Sequence, residues 1–398
     1  MGGSGPSTSS WSCGTVARSQ GRPARAFWVK RRWDLRTQSR TARTHPSVVP
    51  TSALRRYPDP VRILVIGGTQ FVGRHIVEAA LGAGDVPTLF HRGRTNPELF
   101  PHVEHRRGDR DSDLSALATG EWDATIDCSA YVPRQVRALA AVLGGRGGRL
   151  VHISSVSAYE QSVDAGFNED APLTALADPT EERVTDETYG GLKALCELAA
   201  QQAFGQSAAR GGLSGDMGGP VSIVRPTYVA GPFDHTGRFT WWVERVARGG
   251  RILAPEPRNN PFQVVDARDL AEFVLLLAHG RAVGTFHTAS PTPPFSFSDF
   301  LEAVVAGVGP ESCELVWVDS DKLSRAGVTA RDLPLWEGNG PGRGVLAADP
   351  SRALAAGLRP RPLAQTIAEV HQHELAHPRS LPVGLDPDRE ASLLELPT

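Results

Sequence analysis

Val61-Arg62-Ile63-Leu64-Val65-Ile66-Gly67-Gly68-Thr69-Gln70-Phe71-Val72-Gly73 is the stretch that decides the fold. Ile63 to Ile66 form the short, unbroken apolar run of a central parallel strand, covered on both faces. Gly67 and Gly68 then let the chain turn sharply, and Gly73 lets a following helix pack close to the sheet. Free N–H groups at the start of that helix, reinforced by its dipole, suit a pyrophosphate. Gly67, Gly68, Thr69, Gln70, Phe71, Val72 and Gly73 are therefore the candidate phosphate-binding turn. Gln70 stands where a second close-approach glycine is common, so the turn alone does not separate nucleotide binding from a plain tight turn.

The flanking sequence agrees with nucleotide binding. Val72–Leu81 reads as a helix closed by Gly82, and Val86–Phe90 as a second strand at βαβ distance. Asp123–Asp127 and Leu150–Ser154 read as further strands. Between them lies an Ala/Leu/Val-rich helix, Arg134–Leu143, closed by Gly144 and Gly145. A long helix over Glu187–Phe204, a glycine-rich loop over 206–219 and a strand over Val221–Arg225 follow. This alternation predicts an α/β fold, a doubly wound parallel sheet of the Rossmann type. Beyond Gly231 the pattern loosens. Thr240–Arg248 reads as a helix, 252–263 as a Pro-rich loop, and Asp266–His279 as a helix opened by Asp266 and Asp269 as a capping pair. The expected organisation is a basic leader over 1–60 and a nucleotide-binding domain over 61–231, to which 262–288 returns. A smaller mixed substrate lobe spans 232–261 and 289–378, and a peripheral acidic tail spans 379–398.

The 22% charged and 40% hydrophobic fractions belong to an ordinary globular chain. No run approaches the roughly 18 apolar residues that span a membrane. Cys13, Cys128, Cys196 and Cys313 are scattered without a CxxC pair, which points to a reducing compartment. Residues 1–60 carry eleven Lys/Arg against only Asp34 and Asp59, whereas the remainder holds 31 basic and 42 acidic residues. An Arg-rich, Ser-rich leader suggests a dispensable extension or mis-assigned start, a transit peptide, or a nucleic-acid-binding arm, in that order. The acidic body disfavours a nucleic-acid partner.

Tyr189 and Lys193 stand four apart in Thr-Tyr-Gly-Gly-Leu-Lys and so share one helix face. A phenol with a pKa of about 10 is a poor base at neutral pH, and an ammonium one turn away favours the phenolate. Ser155 adds a hydroxyl at the carboxyl edge of a parallel strand, where doubly wound sheets bind ligands. Ser154 and Ser157 read as turn residues.

Together these residues resemble the extended short-chain dehydrogenase/reductase superfamily, its NAD(P)-dependent epimerase/dehydratase group, over about residues 61–375. The resemblance implies Tyr189 as the acid/base, Lys193 as the group that lowers its pKa and holds the nicotinamide ribose, and Ser155 as the orienter of the substrate oxygen. Ser155 lies four before Tyr159, as in the family's Ser-x-x-x-Tyr stretch. Arg225-Pro226 to Gly231-Pro232 resembles the family's Arg-Pro…Gly-Pro segment, with Pro226 near the nicotinamide carboxamide. Gly108-Asp109-Arg110-Asp111 resembles its adenine-side motif, with Asp109 as the contact. The glycine turn itself resembles the branch of isoflavone-reductase-like and stem-loop RNA-binding proteins. A cytoplasmic location and a homodimer follow from the same resemblance.

The second strand ends in Phe90-His91-Arg92-Gly93-Arg94 without an acid, so Arg92 and Arg94 favour the 2′-phosphate of NADP, with NAD as the alternative. Val156 and Ser157 replace the Asp-Glu pair of sugar-nucleotide 4,6-dehydratases, and Thr227 and Tyr228 replace an Asn usual in UDP-sugar epimerases. The expectation is an oxidoreductase or epimerase acting on a small-molecule hydroxyl or carbonyl. The alternatives are an RNA-contacting scaffold and a cofactor sensor without turnover. His373-Glu374-Leu375-Ala376-His377 matches a zinc-protease pattern by letter, but Pro378 ends its helix at once, so no metal is expected. Phe239, Trp241 and Trp242 are assigned to core packing, and Cys128 to a small buried side chain.

Overall fold

In chain order the first half forms β1 (Arg62–Ile66), α1 (Phe71–Ala83), β2 (Val86–His91), β3 (Glu104–Arg107), β4 (Ala124–Asp127), α2 (Pro133–Leu143), β5 (Arg149–Ile153), α3 (Asp186–Ala209) and β6 (Val221–Pro226). The computed structural model describes residues 59–209, 220–290, 293–338 and 343–395. The expected leader, up to residue 58, lies outside the described residues; of the loop expected over 206–219, residues 206–209 instead extend α3 and 210–219 lie outside the described residues.

The central sheet has seven strands in the order β11-β6-β5-β4-β1-β2-β3, where β11 is Thr285–Thr288, and every pairing is parallel. Its centre explains the unbroken apolar run of β1. Ile63 and Val65 pack with Ile76 and Val77 of α1 and with Leu270 and Val274, whereas Leu64 and Ile66 pack with Val136, Leu139 and Ala200 from α2 and α3. Ile63, Leu64 and Val65 are 0% exposed, so each contributes roughly 1.5–3 kcal/mol of apolar burial. Because β1 has β2 on one side and β4 on the other, the strand order reverses there, leaving a crevice at the carboxyl edge. The first helix runs to Ala83, two residues beyond the expected Leu81. Gly84, at φ 86, takes the left-handed cap and returns its N–H to Ala80 and Leu81.

The second half forms β7 (Tyr228–Ala230), α4 (Arg238–Ala247), β8 (Arg251–Pro255), β9 (Pro261–Phe262), β10 (Val264–Asp266), α5 (Ala267–Ala278), β11, β12 (Phe295–Ser296), α6 (Phe297–Val308), β13 (Glu314–Val318), α7 (Ser320–Arg325), α8 (Ser351–Ala356), α9 (Leu363–Ala376) and α10 (Pro387–Leu394). While β11 joins the large sheet and α5 and α8 pack on it with α1, most of the remaining elements make small two-stranded sheets and helices around Phe239, Trp242, Phe262 and Phe300. Trp241 and Trp242 are core residues, as expected.

Three expectations for this half are corrected. Segment 252–263 is not a loop. Ile252 and Leu253 are buried in β8, which pairs in parallel with β13, and the prolines only punctuate its ends. Asp266 caps α5 by accepting from Arg268 N, but Asp269 does not reach back; its carboxylate takes Arg361 N at 2.7 Å and Nε at 2.8 Å. The acidic tail is not peripheral either. Leu385 and Leu393 join the second core, and Glu390 accepts from Arg245 Nε at 2.6 Å and Leu253 N at 3.0 Å.

Candidate active site

The carboxyl edge of the sheet holds two cavities that share Phe71, Val72, Cys128 and Tyr131 as walls. The first, about 430 Å³, brings together Gly67, Thr69, Gln70, Phe71, Val72, Gly73, Arg92, Arg94 and Asp109. Gly68 lies beneath it against Leu89 and Val77. The turn requires its glycines. Gly67 adopts φ 92, and a Cβ on Gly73 would stand 2.1 Å from Gly67 O. Gln70, at the start of α1, supplies no side-chain cap, so the leading N–H groups of the helix keep no side-chain partner. This cradle fits a dinucleotide pyrophosphate.

Two polar constructions frame that cradle. Arg110 forks onto Asp127 at 2.7 and 3.0 Å and donates to Ser129 Oγ at 2.9 Å. Burial alone would raise the Asp127 carboxyl, but the Arg110 charge and fork outweigh it and hold the pKa at about 2. On the other side, Gly93 N donates to His91 Nδ1 at 3.1 Å, which leaves His91 Nε2 to donate to His105 Nδ1 at 2.8 Å. His105 Nε2 then donates to Phe100 O at 3.1 Å. Burial and the neighbouring His105 and Arg107 keep the His91 pKa low, and this chain of hydrogen bonds fixes the loop that carries Arg92 and Arg94.

The second cavity, about 890 Å³, brings together Ser155, Tyr189, Lys193 and Pro226. Ser155 caps a single 3-10 turn, Val156–Ala158, and its Oγ accepts from Ser157 N at 3.1 Å. Ser155 shares this cavity with the Tyr189 phenol and lowers its proton affinity. Glycine near the start of α3 allows the close approach of that turn, because a Cβ on Gly190 would stand 2.2 Å from Ser157 O. Lys193 departs from expectation. Its buried ammonium donates to Ala130 O at 3.0 Å and Ile153 O at 2.7 Å, and burial lowers its pKa. Burial raises the Tyr189 phenol, opposed by Ser155 and the Arg238 charge.

Beneath the cavity runs a buried network that the motifs did not reveal. Arg225 forks onto Glu197 at 2.9 and 2.5 Å and donates to the Tyr159 hydroxyl and to Glu169 O. Ser154 Oγ donates to Glu197, which makes Ser154 a buried structural partner and not a simple turn residue. The Tyr159 hydroxyl meets His287 Nε2 at 2.5 Å. The available signal was charge in an apolar setting: Arg225 ends a strand that is otherwise buried and mostly apolar.

Elsewhere, Glu374 of the zinc-like motif is buried and forked by Arg379, while the His373 and His377 rings stack at 4.6 Å. Among the described residues no group of three His, Cys, Asp or Glu is arranged to hold a metal, and no helix is long and apolar enough to cross a membrane. Cys128, expected to be buried, is half-buried in the wall that the two cavities share.

Residues 63–287 match the NAD dependent epimerase/dehydratase family. The chain belongs to that family. It is accordingly an epimerase/dehydratase-type enzyme with a nicotinamide dinucleotide cofactor. No curated protein matches it by sequence. Among solved structures, this family member is similar in fold to the Bordetella bronchiseptica enzyme WbmH, solved with NAD+, at 17% identity and TM-score 0.57 over 80% of this chain and 99% of that one. It is also similar to a UDP-glucose 4-epimerase from Thermotoga maritima, solved with UDP-glucose, at 15% identity and TM-score 0.58 over 79% and 99%. A putative epimerase from Burkholderia cenocepacia gives TM-score 0.60 at 19% identity over 79% and 98%.

Proposed function

We propose that this family member oxidises a hydroxyl or reduces a carbonyl of a sugar-like small molecule, with Tyr189 as the acid/base. The observation that carries the reading is the gathering of Ser155, Tyr189 and Lys193 in one cavity, which shares walls with the cavity over the glycine turn. When bound, the dinucleotide supplies the hydride acceptor or donor. Ser155 orients the reacting oxygen by hydrogen bonding, and Tyr189 takes its proton or returns one. Lys193 is placed to meet the cofactor ribose once its contacts to Ala130 O and Ile153 O rearrange, and its charge then favours the phenolate. Return of hydride to the other face of the oxidised product would make the net reaction an epimerisation; release of that product would make it a dehydrogenation. Arg92 and Arg94, without an acid at the end of β2, support NADP over NAD.

Titrating the full chain calorimetrically with NADP and NAD, and then assaying turnover in wild type and Tyr189→Phe, tests this reading. Cofactor affinity is expected to be unchanged in Tyr189→Phe, with kcat lower by about 10²–10⁴-fold. If neither cofactor binds, or if Tyr189→Phe turns over at the wild-type rate, the reading is wrong.

A further inference from the structure

The first cavity has one wall that the glycine turn and its neighbouring strands do not supply. Among the described residues that line it, all come from the segment 66–135 except His235. His235 lies between β7 and α4, so the second half of the chain reaches across to the cofactor cradle at this point. Its ring stands edge-on to Phe71, the first residue of α1, with centroids 6.3 Å apart. Phe71 also lines the second cavity, which puts His235 at the end of the cradle nearest the seam.

The segment that carries His235 is pinned on both sides of it. Pro232 O accepts from His75 Nε2 at 3.0 Å, and the Arg74 guanidinium lies over the Phe233 ring at 3.3 Å; both partners belong to α1. Asp234 is 1% exposed, and its carboxylate accepts from Thr236 N at 2.8 Å and Oγ1 at 2.7 Å. Its carbonyl accepts from Arg379 Nη2 at 2.7 Å. These contacts hold Phe233 at φ 68, and Phe71, against the His235 ring, stands at φ 37. Bulky side chains rarely adopt such backbone, which persists where neighbours enforce it and is concentrated at ligand clamps. His235 itself is exposed, and among the described residues no hydrogen bond or ion pair engages its ring nitrogens. A histidine that only decorates a surface turn calls for no such enforcement.

We propose that His235 binds the cofactor pyrophosphate at its nicotinamide-side phosphoryl group, donating an N–H from the side opposite the start of α1. This assignment rests on the oxidoreductase reading above and adds a cofactor-binding residue to the same site. A dinucleotide laid along the glycine turn brings its pyrophosphate to the helix start, where Phe71 sits. Arg92 and Arg94 mark the adenosine end, and the wall shared with the second cavity marks the nicotinamide end, where His235 stands. An imidazole offers one N–H when neutral and two when charged, and either form suits a phosphoryl oxygen. The cofactor is thereby gripped from both halves of the chain.

Calorimetry on the full chain tests this, with NADP, NAD, ADP and AMP as probes and weak ligands read by displacement of the tighter dinucleotide. ADP carries both phosphoryl groups, and AMP only the adenosine-side one. His235→Ala is expected to weaken NADP, NAD and ADP each about tenfold and to leave AMP within about twofold. His235→Gln, whose amide still donates, is expected to stay within about threefold of wild type for all four. Because the side chain is exposed, both variants are expected to keep the wild-type melting temperature. Unchanged affinity for ADP and the dinucleotides in His235→Ala overturns the proposal, as does a loss in His235→Gln as large as in His235→Ala. A general loss that takes in AMP and the melting temperature marks a structural residue and overturns it as well. If the wild type binds neither dinucleotide, the oxidoreductase reading itself fails and the assignment falls with it, whereas wild-type binding that His235→Ala does not disturb removes the assignment alone.

Discussion

The two cavities at the sheet edge meet at shared walls but are made of different material. The cofactor side is largely backbone: a glycine turn, the start of α1 and the ends of β2 and β4, with Arg92 and Arg94 at its rim. The substrate side is largely side chain, drawn from the end of β5, the 160s, α3, β7, α4 and the segment around Glu337, and its charged wall is mainly acidic. A pyrophosphate is the same group in every dinucleotide, and backbone N–H groups at a helix start can bind it wherever the chain can turn tightly enough. A substrate differs from enzyme to enzyme, so its wall is assembled from whatever side chains the fold brings near Tyr189. The difference separates a site made by local geometry from one made by long-range assembly.

The sharpest way to break that contrast is at the seam between the halves. Arg225 and Glu197 are 5% and 3% exposed and tie β6 to α3 directly under Tyr159, which lines the substrate cavity. Removing one partner leaves a buried charge without compensation. Glu197→Ala is expected to lower unfolding free energy by about 3–5 kcal/mol, measured by urea denaturation. A loss below about 1 kcal/mol would show that the seam is not what aligns the two cavities.

Within the cofactor half, Gly73→Ala is the decisive change. Its Cβ would meet Gly67 O at 2.1 Å, so the turn or the helix start must move. A displacement near 1 Å in such a cradle weakens function by about a hundredfold, and cofactor affinity is expected to fall by that order. Calorimetry on a folded variant checks this. Full retention of affinity would mean that the cradle does not depend on close backbone approach.

How much of this was legible in the sequence follows from the same contrast. The seven-residue turn from Gly67 to Gly73 could be read because each glycine answers a steric demand set within a few residues. Tyr189, Lys193 and Ser155 could be read because helix spacing and a strand end place them. The Glu337–Tyr228 pair could not: 109 residues separate the partners, and neither sits in a local pattern that demands it. The same holds for His287, which reaches Tyr159 across 128 residues. Strand β8 was missed for a subtler reason, since Pro255 and Pro257 looked like loop signals while Ile252 to Ala254 supplied only three buried residues. The direction of the Tyr189 shift was also out of reach, because burial depends on tertiary packing and not on the spacing to Lys193.

Acid sensitivity offers a finer cut between the halves. Asp127 has a folded pKa of about 2 against an ordinary 3.8, so its stabilisation is complete above 3.8 and is lost as pH falls through about 2. The contribution is on the order of 2 kcal/mol. In Asp127→Asn, the fall in thermal stability across that window is expected to be shallower than in wild type. An identical slope would place the acid-labile contact outside the cofactor half.

The smallest effect concerns which dinucleotide the first cavity prefers. Arg92 and Arg94 are exposed and, among the described residues, neither is ion-paired. A Cβ on Gly93 would stand 2.4 Å from Arg107 Nη1, so a third guanidinium lies over the loop between them. Three unpaired cations at the end of β2 repel one another unless an anion joins them, and a ribose 2′-phosphate is the part of the cofactor that would do so. Arg92→Ala is therefore expected to weaken NADP about tenfold while leaving NAD unchanged, and Arg94→Ala to do the same to a lesser extent. Equal weakening of both cofactors would mean that the arginines serve the pyrophosphate. No change in either would leave the backbone cradle as the whole of cofactor recognition and remove the ground for preferring NADP.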